Sequence, residues 1–281
     1  MQLARLLLMA CLPAFACVTV KLQGQFGNQL FQIATAYAYA LDRNIALKIP
    51  DLVDEEQWNV RFNAERLFLG KIDSSPVIGE FTVWKEPQFY YSPIPNASKI
   101  KLIGHFQSER YFQHRRAEIL ALFAAPEGLN EKIVAKYPFL ATDTLVVGIQ
   151  VRDYRTEFPG GYYHPTYGRS YYARAMNQFP KDAIFVVSSN HIGFAHECID
   201  GLRENVVFLE GTDYIEDFYT LVLCKSFIIS NSTFGWWAAW LSQSPDKKWI
   251  VPRPWFTPPY DDRMTRSLIP SGVLMLGSGF D

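Results

Sequence analysis

The stretch Phe227-Ile228-Ile229-Ser230-Asn231-Ser232-Thr233-Phe234-Gly235-Trp236-Trp237 changes period in its middle. Its first four residues are apolar or β-prone without alternation, as in a strand buried on both faces of a parallel sheet. An Asn-Ser-Thr cluster follows, and an apolar helix begins at once, running from Thr233 to Ser242. Ser or Thr at such a junction caps a helix, and the unpaired N–H groups and positive dipole end there form a seat for phosphate. Gly235 permits close backbone approach, and Trp236, Trp237 and Trp240 are expected to pack the helix on the sheet. Asn231 also opens an N-x-[ST] sequon, but a strand-to-helix junction is a poor glycan acceptor.

The same alternation extends in both directions. Strands are expected at Leu145 to Val151, Ala183 to Val187, Val206 to Leu209 and Trp249 to Val251. Helices are expected at Ser170 to Phe179, Phe194 to Leu202 and Tyr214 to Cys224. Upstream, Val18 to Leu22 reads as a strand, Asn28 to Leu41 as a helix ending at Asp42-Arg43-Asn44, and Ile45 to Ile49 as a second strand. Lys99 to Ile103 reads as a strand and Ser108 to Phe123 as a helix, while Asp51 to Pro95 has no regular pattern. The result is an α/β chain with two Rossmann-like halves meeting near residues 125–144. The expected division is an apolar extension over residues 1–16, an N-terminal half over 17–140 and a C-terminal half over 141–281.

A net charge of −1 over 281 residues excludes the basic footprint of a nucleic-acid binder. Cys11, Cys17, Cys198 and Cys224 form no C-x-x-C pair and no metal-ligand spacing, so buried free thiols are expected, as suits a reducing compartment. Aromatic residues at 15% fit either rich core packing or rings that stack on sugars. Arg5, the run Leu6 to Pro13 and Ala14-Phe15-Ala16 have the layout of a secretory signal. That run is too short to span a bilayer, and a strand follows with no spacer. A signal or anchor and a simple extension both remain open, and with them a membrane-associated, cytoplasmic or secretory location.

Two further strand ends carry chemistry. In Gln23-Gly24-Gln25-Phe26-Gly27-Asn28-Gln29, Gly24 and Gly27 let backbone approach a ligand, and Asn28 is open to capping the helix or to touching substrate. A plain strand-to-helix turn explains the same residues. A nicotinamide-type Rossmann site is disfavoured, since the third glycine and the acidic residue ending the second strand are missing. Gly148-Ile149-Gln150-Val151-Arg152-Asp153-Tyr154-Arg155-Thr156-Glu157 leaves a buried strand at the end where ligands of open sheets collect. Arg152 there suits a diphosphate, and Asp153 or Glu157 could supply a base. A local Arg–Asp surface pair is the alternative.

Three segments together resemble one family. KLQGQFGNQLFQIATA (Lys21 to Ala36), GHFQSERYF (Gly104 to Phe112) and CKSFIISNSTFGWWAAWL (Cys224 to Leu241), followed by Pro252 and Trp255-Phe256, are similar to motifs of glycosyltransferase family 11, the α-1,2-fucosyltransferases. The similarity runs in order from Val18 to Phe256. It implies a GT-B-like fold of two Rossmann-type parallel-sheet halves facing a cleft, with GDP-fucose as donor and a galactose-containing glycan as acceptor. It further implies inversion at the anomeric carbon, no cofactor or essential metal, no nucleic acid, and peripheral membrane association as one option. The family's basic motif H-x-R-R-x-D is altered here: Gln150 stands for His, Arg152 matches the first Arg, and the second is missing. Arg152 inherits the β-phosphate contact, with Arg155 a replacement for the absent partner. Thr156-Glu157 followed by His164-Pro165 resembles α-1,6 enzymes, which makes Glu157 the first choice of base and Asp153 the second. Asn28, Asn231, Ser232, Thr233 and Phe234 match donor-side positions of these relatives. Ser189-Asn190 matches a pair lining the nucleotide, or is a simple turn. The altered motif leaves open a donor- or glycan-binding protein without catalysis, and an α-1,6 or protein O-fucosyl linkage.

Overall fold

The computed structural model describes residues 16–155, 163–260 and 263–277. Two parallel sheets organise the chain. The first contains β1 (Cys17–Val20), β2 (Ala46–Leu47), β3 (Thr82–Lys85) and β4 (Lys99–Ile103) in the order β2-β1-β4-β3. The second contains β5 (Val146–Val151), β6 (Ile184–Ser189), β7 (Val206–Phe208), β8 (Ser226–Ile229), β9 (Trp249–Arg253) and β10 (Leu274–Gly277). Its order is β10-β9-β8-β5-β6-β7, and every pairing in both sheets is parallel. Strand β5 is buried at all six positions, which explains its unbroken apolar reading.

Helices connect the strands. In the first half these are α1 (Phe26–Arg43), the short α2 (Asp51–Asp54) and α3 (Val60–Leu67). The link between halves carries α4 (Arg116–Leu122) and α5 (Leu129–Lys136). The second half adds α6 (Arg169–Met176), α7 (Ile192–Ile199), α8 (Tyr214–Val222) and α9 (Thr233–Leu241). Helix α1 stops at Asn44, whose left-handed backbone (φ 51°) sends its N–H to the carbonyls of Ala40 and Leu41.

The sequence reading departs from these elements in three places. Residues 51–95 hold α2, α3 and β3, where no regular element was expected; α2 and β3 have four residues each, too few to show a period, and the buried stripe of α3 at Val60, Asn63, Ala64 and Leu67 includes a polar residue. The helix expected over Ser108 to Phe123 is two 3-10 turns, Glu109–Tyr111 and Gln113–Arg115, before α4. Strand β10 was not anticipated, because its first two positions and its last are exposed. Cys17, Cys198 and Cys224 are buried free thiols, while Cys11 lies outside the described residues. Among the described residues no helix is long and apolar enough to cross a membrane.

The halves share one core along α1 and α9. Phe31 of α1 meets Trp236 at 4.5 Å and Trp237 at 5.0 Å between ring centroids, and Phe112 stacks on Trp237 at 5.1 Å. Both Trp side chains are fully buried, so this seam contributes as a core does. A buried polar relay runs beside it. Gln29 donates to the Trp58 carbonyl and accepts from Asn63, and Asn63 accepts from the Tyr214 hydroxyl at 2.6 Å across the halves.

Where the two helices begin, the backbone itself sets the spacing. A Cβ added at Gly27 would lie 2.5 Å from the Thr233 carbonyl carbon and 2.7 Å from the Phe234 nitrogen. Backbone cannot step aside as a flexible side chain can. Gly27→Ala is therefore expected to lower unfolding stability by about 1–3 kcal/mol in urea melts. A variant as stable as the parent would show that α1 and α9 do not meet so closely.

Candidate active site

The carboxyl end of β5, the start of α1 and the start of α9 surround a cavity of about 700 Å³, a size suited to a nucleotide-sized ligand. Its middle is electropositive by construction. Helices α1 and α9 begin without a side-chain cap at Gln25 or Ser232, and neither has an acidic residue in its first turn. Two positive dipole ends in contact repel each other unless an anion lies between them. Arg152 lines the same cavity, with its guanidinium carbon 5.4 Å from the Tyr154 ring centroid.

Asn28 ties the two helix starts together. It sits within α1 rather than at its cap, and its side-chain oxygen accepts from Gln107 at 2.9 Å and from the Thr233 hydroxyl at 3.2 Å. Thr233 is thereby directed to Asn28 rather than to capping its own helix. Gly24 takes φ 75°, and a Cβ there would lie 2.5 Å from the Asn28 side-chain nitrogen. Glycine is required here by conformation and by space.

Gly24, Gly27, Asn28, Arg152, Ser189, Asn190, Asn231, Ser232, Thr233 and Phe234 all line this cavity. Within that set Asn231 supports the wall: its amide nitrogen donates to the Trp255 carbonyl at 2.9 Å, and its own carbonyl accepts from Tyr154. With its amide buried and engaged, Asn231 is not available as a glycan acceptor. Gln150, in the position of the motif's His, is also structural, accepting from the Ser230 hydroxyl at 2.7 Å.

Asp153 and Arg155 need correction. The Asp153 side chain is fully buried and accepts from Arg155 at 2.9 and 3.0 Å and from His191 at 2.9 Å. The Arg155 guanidinium, with the His191 bond, holds its carboxyl well below the usual range, leaving a poor proton acceptor that does not line the cavity. Asn190 grips the Asp153 backbone from both sides, accepting from its N–H and donating to its carbonyl, each at 2.9 Å. Asp153 thus fixes the strand end from which Arg152 projects. Arg155 turns away to Asp153 and lies over the Phe194 ring at 4.2 Å, so it does not replace the missing second Arg. Glu157 lies outside the described residues.

Several lining residues carried no role in the sequence reading. Asp217 accepts from Ser188 at 2.9 Å and from Thr212, and burial pushes its pKa up to about 6 against those two bonds. It occupies the apolar face of α8 with Tyr214, Phe218 and Leu221, at spacings of three and four. A carboxylate on that face was the signal available. His105 and His164 also line the cavity. Burial depresses both imidazoles, and the nearby charge of Arg152 helps bring His164 to about 4.

Comparison with known proteins gives the following. The profile of "Glycosyl transferase family 11" matches residues 9–261. The Alpha-1,2-colitosyltransferase of Escherichia coli is 27% identical over 274 residues, covering 85% of this chain and 92% of its own. Galactoside alpha-(1,2)-fucosyltransferase 2 of Oryctolagus cuniculus is 29% identical, covering 82% and 68%. Galactoside alpha-(1,2)-fucosyltransferase 1 of Mus musculus is 31% identical, covering 80% and 63%. Among solved structures, the fucosyltransferase NodZ from Bradyrhizobium superposes with a TM-score of 0.49 at 15% identity, covering 79% of this chain and 92% of that one.

Asp217 makes stability depend on pH. Its folded pKa of about 6 lies above the ordinary 3.8, so the folded state binds more protons between those values. Stability must therefore fall as pH rises from about 4 to about 6. Asp217→Asn is expected to flatten that part of a urea-midpoint profile. An unchanged slope in the variant would contradict the assignment.

Proposed function

Because the chain belongs to glycosyl transferase family 11, and is a glycosyltransferase, we propose that it moves L-fucose from GDP-fucose to a galactoside hydroxyl in α-1,2 linkage. The observation that carries the reading is the convergence of two uncapped helix starts and Arg152 on one cavity. A sugar diphosphate is the ligand class that such a site fits. The named relatives of Escherichia coli, rabbit and mouse all carry an α-1,2 linkage in their names, which supports that linkage over α-1,6 or protein O-fucosylation.

The steps follow from charge and position. The donor diphosphate lies across the starts of α1 and α9. Arg152 offsets the negative charge that grows on GDP as the C1–oxygen bond breaks. Ser188, Ser189 and Asn190 flank the nucleotide end with Asp217, whose carboxylate can accept two N–H groups from the edge of a guanine. The acceptor hydroxyl attacks C1 from the face opposite the leaving GDP, so configuration inverts. Its proton passes to a carboxylate, which we assign to Glu157. Charge compensation is assigned to protein groups.

A second reading has its own observation. The Escherichia coli relative is named for colitosyl transfer, and colitose is fucose without its 3-hydroxyl. Parallel assays with GDP-fucose and GDP-colitose, using galactoside acceptors and NMR of the product, separate the two. The proposal expects fucosyl transfer and a 2-linked product; transfer of colitose alone, or a 6-linked product, overturns it. Arg152→Ala is expected to lower kcat at least about 100-fold, the usual loss on removing one such stabilising group, with an unchanged melting temperature. A variant of normal kcat removes the central assignment.

A further inference from the structure

At the cavity end away from Asp217, aromatic rings from both halves form a continuous wall. Phe89 lies parallel to His105 at 5.7 Å and meets Phe256 at 5.9 Å across the halves. His164 stacks on Tyr154 at 4.6 Å and meets Phe256 at 4.9 Å. Phe89, His105, Tyr154 and His164 are half-buried and Phe256 is buried behind them, and all five border the cavity.

Two imidazoles interrupt this wall, each with one ring nitrogen unsatisfied. Nδ1 of His105 and Nδ1 of His164 are buried and have no hydrogen-bond partner. Buried polar atoms are seldom left so, and each such atom asks for an explanation. The His105 backbone is fixed rather than adaptable: Glu86 accepts from the N–H groups of His105 and Phe106, each at 2.8 Å, and Phe106 sits at φ 53°. The main chain that carries the imidazole at the cavity is therefore held in place.

We propose that His105 and His164 are specificity-determining contacts of the acceptor, reading the hydroxyls of a neutral pyranoside whose C–H face lies on Phe89. The inference rests on the glycosyltransferase reading above. A neutral imidazole offers one N–H donor and one nitrogen acceptor, which matches a sugar hydroxyl that can do both. Among the described residues the wall carries no carboxylate, and burial keeps its two imidazoles uncharged, which suits a neutral ligand. A guanine is also flat and neutral, but its N–H edge is better met by Asp217 at the other end.

The test uses the full chain with methyl β-D-galactoside and GDP-fucose. His105→Phe keeps the ring stack and removes both nitrogens. Loss of one or two hydrogen bonds should raise the KM for galactoside about tenfold, leaving kcat and the KM for GDP-fucose within about twofold. A galactoside KM that stays put, or a donor KM that rises with it, overturns the proposal. Direct binding makes the result independent of turnover. Imidazole signals of His105 and His164, assigned from His105→Phe and His164→Phe, should move when the galactoside is titrated with GDP present. Galactoside binding that leaves both signals still, no galactoside binding at all, or movement on GDP alone would each overturn it. Failure of the donor reading would show separately, as no binding of GDP-fucose.

Discussion

The contact on which the site depends is that of two helix N-termini. Helices α1 and α9 come from different halves, and Gly27 lets their first turns touch. Each end carries about half a positive charge, and neither is capped or balanced by a nearby acid. Folding offsets this repulsion with the apolar seam of Phe31, Phe112, Trp236 and Trp237 behind it. The stored positive potential is then available to a diphosphate, which would be bound by groups already in place.

Around that centre, side chains divide into those that face the cavity and those that hold them there. Asn28 bridges Gln107 and Thr233, so both helix starts keep their relative position. Asp153, Arg155, His191 and Asn190 form a closed network behind Arg152. The Gln29–Asn63–Tyr214 relay does the same at the other side of the seam. The Asn28 bridge and the Gln29–Asn63–Tyr214 relay cross between the halves and favour one arrangement of them, while the Asp153 network fixes the strand end that carries Arg152.

Much of the fold was legible in the sequence, because β5, β6, β8 and β9 of the second sheet are largely buried and read as unbroken apolar runs. Strand β4 was located at its observed ends, Lys99–Ile103, for a related reason: three half-buried and two buried positions alternate. The four-residue β3 left no such trace, and the buried stripe of α3 was masked by the polar Asn63 within it. Within the site, strand-to-helix junctions were readable at Gly27 and Thr233, since glycine and hydroxyl residues mark them. The destination of a side chain was not. Asp153 and Arg155 face each other through a turn that spacing alone does not reveal, and Asp217 enters the cavity from a helix that reads as plain core.

The centre of the site is a seat for a diphosphate between α1 and α9. Backbone amide shifts of Gly27, Asn28, Thr233, Phe234 and Gly235, followed by NMR during titration with GDP and then with guanosine, test this directly. Large shifts of these amides are expected with GDP and little change with guanosine, since only GDP carries the anion. Equal shifts with both ligands, or shifts with GDP confined to other residues, would contradict it.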